Sequence, residues 1–275
     1  MARGGGPTLT GAPRLSEELS AGGARLRIDV RGGEPREHVL DDMSFLNYRL
    51  AEVRVEPAVT LPEADIVWDH DGPKGIAYDG SRMTFAGPWP AGPLQKVIVT
   101  MLALRMESAG LHPFHASAVR YHGRTIVFLG GESNHGKSMG QIEACRRGAL
   151  LVSTETTVID EDGVAVLGSK QPFLMRRTEG TERADKSGAV GTEAGVQKFF
   201  GQMPAWDVLA EPTNVDAVIV PAIDGNYEPS LAELIPFERQ FQTFHSLQNY
   251  FLLNELLAPG LPMPVVDTEP RRRAR

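Results

Sequence analysis

The chain has 275 residues and a net charge of −7, which argues against a dedicated nucleic-acid binder, because such proteins usually carry a basic face. Its one cysteine, Cys145, excludes an internal disulfide and a cysteine-rich metal site. The longest apolar run, 97–104, is too short to span a bilayer, and the first residues lack the apolar segment of a signal peptide, so we expect a cytoplasmic protein with neither a membrane nor a nucleic-acid partner.

The N-terminal third of the chain predicts a tail followed by a small domain. Residues 1–24 are rich in glycine, alanine, proline, serine and threonine, so we expect a disordered tail with at most a short helix near 16–20. Beyond the tail, short β-prone segments separated by turn residues predict a small α/β domain over residues 25–93, which ends in the Pro/Gly cluster 87–93. The predicted strands are 25–30, 65–69 and 82–86.

The remainder of the chain, residues 94–275, predicts a second α/β domain. It opens with apolar residues at three- and four-residue steps, as in a helix, and continues with the strand, turn, helix and strand of a βαβ unit. The run 125–129 is continuously β-prone, which is typical of a strand covered on both faces. The predicted helices are 94–108, 137–147 and 246–257, and the predicted strands are 115–119, 125–129, 150–152 and 215–220.

A glycine-rich segment joins the strand at 125–129 to the helix that follows it. The segment Gly131-Glu132-Ser133-Asn134-His135-Gly136-Lys137-Ser138 matches G-x-x-x-x-G-K-[ST], the phosphate-binding P-loop. Its glycines allow successive N–H groups to point at an anion, and the helix adds the positive end of its dipole. We predict that this segment and Met139 bind the nucleotide, with Lys137 on the β- and γ-phosphates and Ser138 on Mg²⁺. An ordinary glycine-rich turn is the alternative.

The residues on either side of this motif restrict the class of reaction that we expect. His115-Ala116-Ser117-Ala118-Val119 precedes it, and Arg147-Gly148-Ala149-Leu150-Leu151-Val152-Ser153-Thr154-Glu155 follows it. Over about 112–160 the chain resembles the HPr kinase/phosphorylase family, above all its smaller kinase-like members. The resemblance implies an α/β P-loop core of the HPr kinase/phosphoenolpyruvate carboxykinase type, and transfer of a phosphoryl group from ATP or GTP, with Mg²⁺, to a hydroxyl. By analogy with the hexameric founders it also implies a homo-oligomer.

The chain departs from the family pattern at the acidic pair. The family usually has two aspartates where this chain has Thr154 and Glu155. Glu155 keeps the charge, so we predict that it supports Mg²⁺, but a threonine cannot replace the aspartate that acts as catalytic base. His115 is our candidate for that base, because a neutral imidazole accepts a proton near pH 7; a histidine that only orders the site is the alternative. We interpret Asp160 as a turn residue rather than as a Walker-B-like acid.

Phosphoryl transfer also requires a positively charged side chain beside the negatively charged equatorial oxygens of the transferred group. Arg176, in a basic pair that follows a proline, is our candidate for this role. The segment 178–195 is rich in glycine, threonine and glutamate and predicts a loop, which is either a lid over the acceptor or a solvated connection. Aromatic residues of the C-terminal region are spaced as in a core, and these are Phe237, Phe241, Phe244 and Tyr250.

Three functions remain open from the sequence. The first is an ATP-dependent kinase acting on a hydroxyl of a small metabolite, such as a nucleoside, a sugar or an amino-acid derivative. The second is a protein or peptide serine kinase of the HPr kinase type. The third is a nucleotide-binding regulatory module without catalysis, for which Thr154 is the main argument.

Overall fold

The chain is a mixed α/β protein with few helices. Within the part of the chain that the structure describes, the strands form two mixed sheets, of six and seven strands, and one separate two-stranded sheet. No helix in those ranges is both long and apolar enough to cross a membrane. The computed structural model describes residues 12–40, 43–50, 52–59, 61–89, 91–130, 135–170, 173–177, 196–200, 206–223, 228–251 and 269–270.

The six-stranded sheet is built from the N-terminal part of the chain. Its elements, with the two helices of this region, are β1 (Leu15–Ala21), β2 (Ala24–Arg31), α1 (Ser44–Arg49), β3 (Arg54–Pro57), β4 (Ile66–Asp69), β5 (Gly75–Tyr78), β6 (Met83–Ala86) and α2 (Ala91–Ser108). The strand order is β3-β1-β2-β4-β6-β5. β2, β4 and β6 run parallel, and the other pairs are antiparallel. The three strands predicted for this region are confirmed, and so is the helix predicted over 94–108, which α2 contains.

The first strand corrects the prediction of a disordered tail. Residues 15–21 form β1 rather than a tail or a short helix, while residues 1–11 lie outside the described residues. Leu19 is fully buried, and Ala21 pairs with Ala24 across a two-residue turn. Gly22 and Gly23 form this turn with φ values of 55° and 79°, which suit the tight turns of hairpins. The glycines that indicated disorder therefore mark a hairpin.

The seven-stranded sheet follows α2. The remaining elements are β7 (Leu111–Tyr121), β8 (Arg124–Leu129), α3 (Lys137–Arg146), β9 (Leu150–Ser153), β10 (Thr156–Asp160), β11 (Val164–Gly168), β12 (Phe173–Arg177), β13 (Val196–Phe200), β14 (Thr213–Asn214), β15 (Ala217–Ile219) and α4 (Pro236–Phe251). The order is β14-β11-β10-β7-β8-β15, with β9 also beside β7, and β12 pairs only with β13 among the described strands. β7 is therefore the central strand.

The predicted βαβ unit is confirmed, with one strand inserted in it. β8 and β9 both run antiparallel to β7, so they are parallel to each other, and α3 connects them. β8 is covered on both faces as predicted, because Val127 and Leu129 are buried on one side while Ile126 and Phe128 pack near Ala144 of α3 on the other. This crossover places the beginning of α3 beside β7.

One hydrophobic core joins the two sheets. Trp68 and Phe85 of the six-stranded sheet and Ile98 of α2 belong to the same buried cluster as Val158 of β10. α2 packs against β2 and against β7. The domain boundary near residue 93 stays a prediction, but the residues on its two sides bury apolar surface together.

The C-terminal aromatic residues correct another prediction. Phe237, Phe241 and Phe244 of α4 are 70%, 48% and 40% exposed, so they do not pack in a core, and the side chain of Tyr250 lies outside the described residues. Their spacing does place them on one face of the helix, but the residues that α4 buries, among those whose burial the structure describes, are Ser246 and Leu247. Helical spacing predicts that these aromatic residues share one face of the helix. It does not indicate whether that face packs against the sheet or is exposed. The helix also begins at Pro236, well before the predicted residue 246.

For one buried histidine on β7, the structure shows no hydrogen-bond partner among the residues that it describes. His112 is 5% exposed, and neither ring nitrogen has a partner among the described residues. Burying a polar group without a hydrogen bond is unfavourable, so this side chain lowers the stability of the fold.

We therefore expect His112→Phe to raise the free energy of unfolding by about 1–2 kcal/mol, as measured by urea denaturation. Thr125→Val is the matched control, because the fully buried hydroxyl of Thr125 lies 2.7 Å from that of Thr213. Losing this satisfied contact should lower stability by about 1 kcal/mol. A loss of stability in both variants would contradict the interpretation of His112.

Candidate active site

The central strand β7 directs two polar side chains toward the beginning of α3. The buried hydroxyl of Ser117 donates a hydrogen bond to the carbonyl of Lys137, at 3.2 Å. His115 is two residues earlier on the strand, so its side chain projects from the same face. The hydroxyl of Ser246, which is fully buried on α4, donates to the carbonyl of His115 at 3.0 Å. β7 thus holds His115 and Lys137 in a fixed relation.

Glu155 lies between β9 and β10, beside His115. The N–H of Ala116 donates to the carbonyl of Glu155 at 3.1 Å, which aligns the two segments. The Oε1 atom of Glu155 accepts hydrogen bonds from Nε2 of His115, at 3.0 Å, and from Nη1 of Arg49, at 2.9 Å. The side chain of Tyr48 also donates to this carboxylate. A largely buried carboxylate therefore has three donors around it.

These contacts favour the ionised form of the Glu155 carboxylate. Burial alone raises the pKa of Glu155, but the charge and hydrogen bond of His115, with the charge of Arg49, outweigh burial and hold that pKa below its usual value. Burial lowers the pKa of Lys137, and the charge of Glu155 opposes that lowering. Lys137, which is 8% exposed, is thus close enough to Glu155 for the two charges to interact.

A serine on the neighbouring segment fixes the turn that carries Glu155. The hydroxyl of Ser169 accepts the N–H groups of Glu155 and Thr156, each at 3.0 Å. The hydroxyl of Thr154 donates to the carbonyl of Ser169 at 3.1 Å. Thr154 therefore has a structural role here, and its buried hydroxyl supports the peptide that presents Glu155.

The beginning of α3 includes the second half of the glycine-rich motif. Gly136 is the N-cap of α3, with φ at 103°, and the N–H of Ile223 donates to the carbonyl of His135 at 3.2 Å. Ser138 is the second residue of α3, and Met139 is 60% exposed. The first half of the motif lies outside the described residues, and it comprises Gly131, Glu132, Ser133 and Asn134.

The structure separates Asp160 from the candidate site. Asp160 ends β10, where its carboxylate accepts the N–H groups of Asp162, at 3.0 Å, and Val164, at 2.9 Å. This confirms its interpretation as a turn residue. Its position along β10 is about 13 Å from Thr156, the residue that pairs with His115.

The predicted cation Arg176 is not brought to the site by the described contacts. It lies on β12, where its backbone is in register with Gln197 of β13. Its side chain and the segment 178–195 lie outside what the structure describes. The roles predicted for them stay predictions.

Two residues of α1, Tyr48 and Arg49, belong to the cluster although no sequence motif points to them. Leu46 and Leu50, four residues apart and both buried, are the local signal for this short helix. Arg49 and Glu155 are in contact although 106 positions separate them in the sequence. Only the packing of the two sheets brings these residues together.

Comparison with known proteins adds no assignment. A scan against models of protein families found no match, and a search of curated proteins found none. The likeness to the HPr kinase/phosphorylase family therefore rests on the residues quoted for it.

Gly136 provides a test of the geometry at the beginning of α3. A Cβ at this position would lie 2.6 Å from Cδ1 of Ile223. The backbone of Gly136 is also left-handed, which a residue with a Cβ adopts only with strain. We expect Gly136→Ala to lower the free energy of unfolding by about 2–4 kcal/mol, measured by urea denaturation.

Gly148→Ala is the matched control for that variant. Gly148 has φ at 90°, and a Cβ there would meet nothing within 4 Å. The free energy of unfolding of Gly148→Ala should fall only by the cost of backbone strain, about 1–2 kcal/mol. Equal losses in the two variants would show that Ile223 does not restrict this position.

Proposed function

We propose that this chain is an ATP-dependent kinase that transfers the γ-phosphoryl group to a hydroxyl of a small molecule. In this proposal the βαβ unit belongs to a P-loop core of the HPr kinase/phosphoenolpyruvate carboxykinase type. The observation that carries it is the contact between His115 and Glu155 beside the buried Lys137. A base, a carboxylate that orients it and a phosphate-binding cation are the groups that such a transfer requires.

The phosphate-binding role rests on Lys137 and the start of α3. Lys137 follows the left-handed Gly136 at the N-terminus of the helix, where backbone N–H groups have no partner within the helix. Among the described residues at the start of α3, Lys137 and Arg49 contribute two positive charges against the negative charge of Glu155. This excess of positive charge favours a triphosphate.

The base in the proposed reaction is His115. In the form of the site that acts as a base, the ring is neutral; since Glu155 accepts from Nε2, the proton of that ring is on Nε2 and its lone pair is on Nδ1. The acceptor oxygen attacks the γ-phosphorus while the bond from that phosphorus to the bridging oxygen of ADP breaks. The proton of the hydroxyl passes to Nδ1. This arrangement replaces the aspartate missing at Thr154 and favours an enzyme over a regulatory module.

The donor atoms near α3 are compatible with Mg²⁺. Mg²⁺ prefers hard oxygen ligands and usually binds through one or two protein groups together with substrate phosphates. The hydroxyl of Ser138 and the ionised carboxylate of Glu155 are of this kind, whereas no cluster of three His, Cys, Asp or Glu side chains exists within the described ranges. The ion would neutralise charge on the phosphate oxygens. Since Oε1 of Glu155 already has two donors, its first role in this proposal is to orient His115.

Nucleotide binding is tested with Lys137→Met. Mg²⁺–ATP at about 100 times its dissociation constant should stabilise the wild-type protein by about 2.7 kcal/mol, seen as a thermal shift, and the variant should lose this shift. Lys96→Met is the control, because Lys96 is an exposed lysine of α2. A wild-type protein that shows no shift with ATP, GTP or their diphosphates would refute the proposal.

Catalysis is tested with His115→Asn. Pooled metabolites are incubated with Mg²⁺–ATP, and mass spectrometry detects the product that gains a phosphate. The variant should keep the nucleotide-induced thermal shift but lose about 10²–10⁴-fold in transfer rate. His122→Asn serves as the control, since His122 is exposed in the β7–β8 turn with φ at 47°, which asparagine tolerates. Full transfer by His115→Asn would exclude His115 as the base.

A further inference from the structure

We propose that Arg49 of α1 is a positioning residue of the candidate active site, which holds the carboxylate of Glu155 in the orientation that directs His115. The inference rests on the proposed phosphoryl transfer, in which His115 is the base. It assigns part of the active site to the N-terminal region of the chain, outside the glycine-rich motif and its flanks.

The contact geometry on Glu155 supports this role. Nη1 of Arg49 and Nε2 of His115 donate to the same atom, Oε1, at 2.9 Å and 3.0 Å. Two donors on one oxygen restrict the rotation of the carboxylate, and the carboxylate in turn restricts the imidazole. Without Arg49, Glu155 would rotate more freely, and His115 would lose its fixed partner.

The packing of α1 explains why Arg49 has a defined position. Leu46 and Leu50 are 0% and 1% exposed and belong to the core shared by the two sheets. Arg49 lies between these two anchors, and its guanidinium group lies 5.9 Å and 5.7 Å from the ring centroids of Phe45 and Tyr48. A planar cation over aromatic rings has few accessible rotamers.

A second interaction, electrostatic and without a hydrogen bond, involves a residue shortly after α1 and its cap. Glu52 has φ at 52°, a left-handed conformation that is uncommon for glutamate. Its charge interacts with Lys170, which directly follows the Ser169 that holds the Glu155 turn. The region of α1 therefore interacts with the site through the hydrogen bond of Arg49 to Glu155 and through the charge of Glu52 near Lys170.

The experiment compares Arg49→Met with Arg82→Met in the full chain. Arg82 also pairs with a carboxylate, that of Glu63, at 2.9 Å, but at the exposed surface of the N-terminal region. Nitrogen NMR of the histidine side chains, with His115 assigned by its loss in His115→Asn, reports which ring nitrogen carries the proton. In the wild-type protein we expect a single tautomer with the proton on Nε2. In Arg49→Met we expect a mixture, and in Arg82→Met the wild-type spectrum.

The second measurement is turnover with Mg²⁺–ATP, with water as acceptor where the metabolite screen yields no other. The turnover number of Arg49→Met should fall about 10- to 100-fold, while its nucleotide-induced thermal shift stays as in the wild-type protein. Arg49→Lys, which keeps the charge, should recover part of the turnover. Arg49→Lys also carries the test if Arg49→Met does not fold, and it should then show a tautomer mixture and a smaller loss of turnover.

The two proposals fail in different ways. A His115 spectrum unchanged by substitution of Arg49, or changed equally by Arg82→Met, would overturn the role of Arg49 whatever the protein catalyses. Unchanged turnover in the Arg49 variants would overturn it as well. A changed His115 spectrum in a protein that binds no nucleotide would instead retain Arg49 as the residue that positions Glu155 and refute the kinase.

Discussion

The buried carboxylate of Glu155 is the constraint on which the candidate site depends. Removing an ionised carboxylate from water is unfavourable by several kcal/mol unless charges and hydrogen-bond donors compensate for it. Here Arg49 and His115 donate to one of its oxygens, and Lys137 adds a nearby positive charge. Each of these residues comes from a different element, so the need to compensate one charge holds α1, β7 and α3 together.

The same constraint explains the absence of the expected aspartate. In the proposed kinase, a second carboxylate beside Glu155 would add negative charge to a site that binds a triphosphate, and it would require its own donors. Thr154 adds no charge and instead bonds to the carbonyl of Ser169, which steadies the Glu155 turn. In the proposed reaction His115 takes the place of the family's aspartate, and its ring needs only one carboxylate to orient it.

Sequence patterns predicted the elements whose signals are local. The strand at 125–129 and the helix at 137–147 were both predicted from neighbouring residues, and the structure has β8 and α3 there. β1 was missed because its only marker, the pair Gly22 and Gly23, also fits disorder. Arg49 was out of reach, because its partner is 106 residues away and no periodicity links the two.

The core shared by the two sheets has a consequence for synthesis of the chain. The strands of the N-terminal sheet are complete at Ala86, but their core also includes Val158, with Leu111 and Leu167 packed against it. Until those residues emerge, the part of the apolar surface that they cover stays open to other molecules, although α2 already packs against the first sheet. The nascent chain is therefore most exposed to aggregation between the emergence of α2 and that of β11, which is the interval in which a chaperone would act.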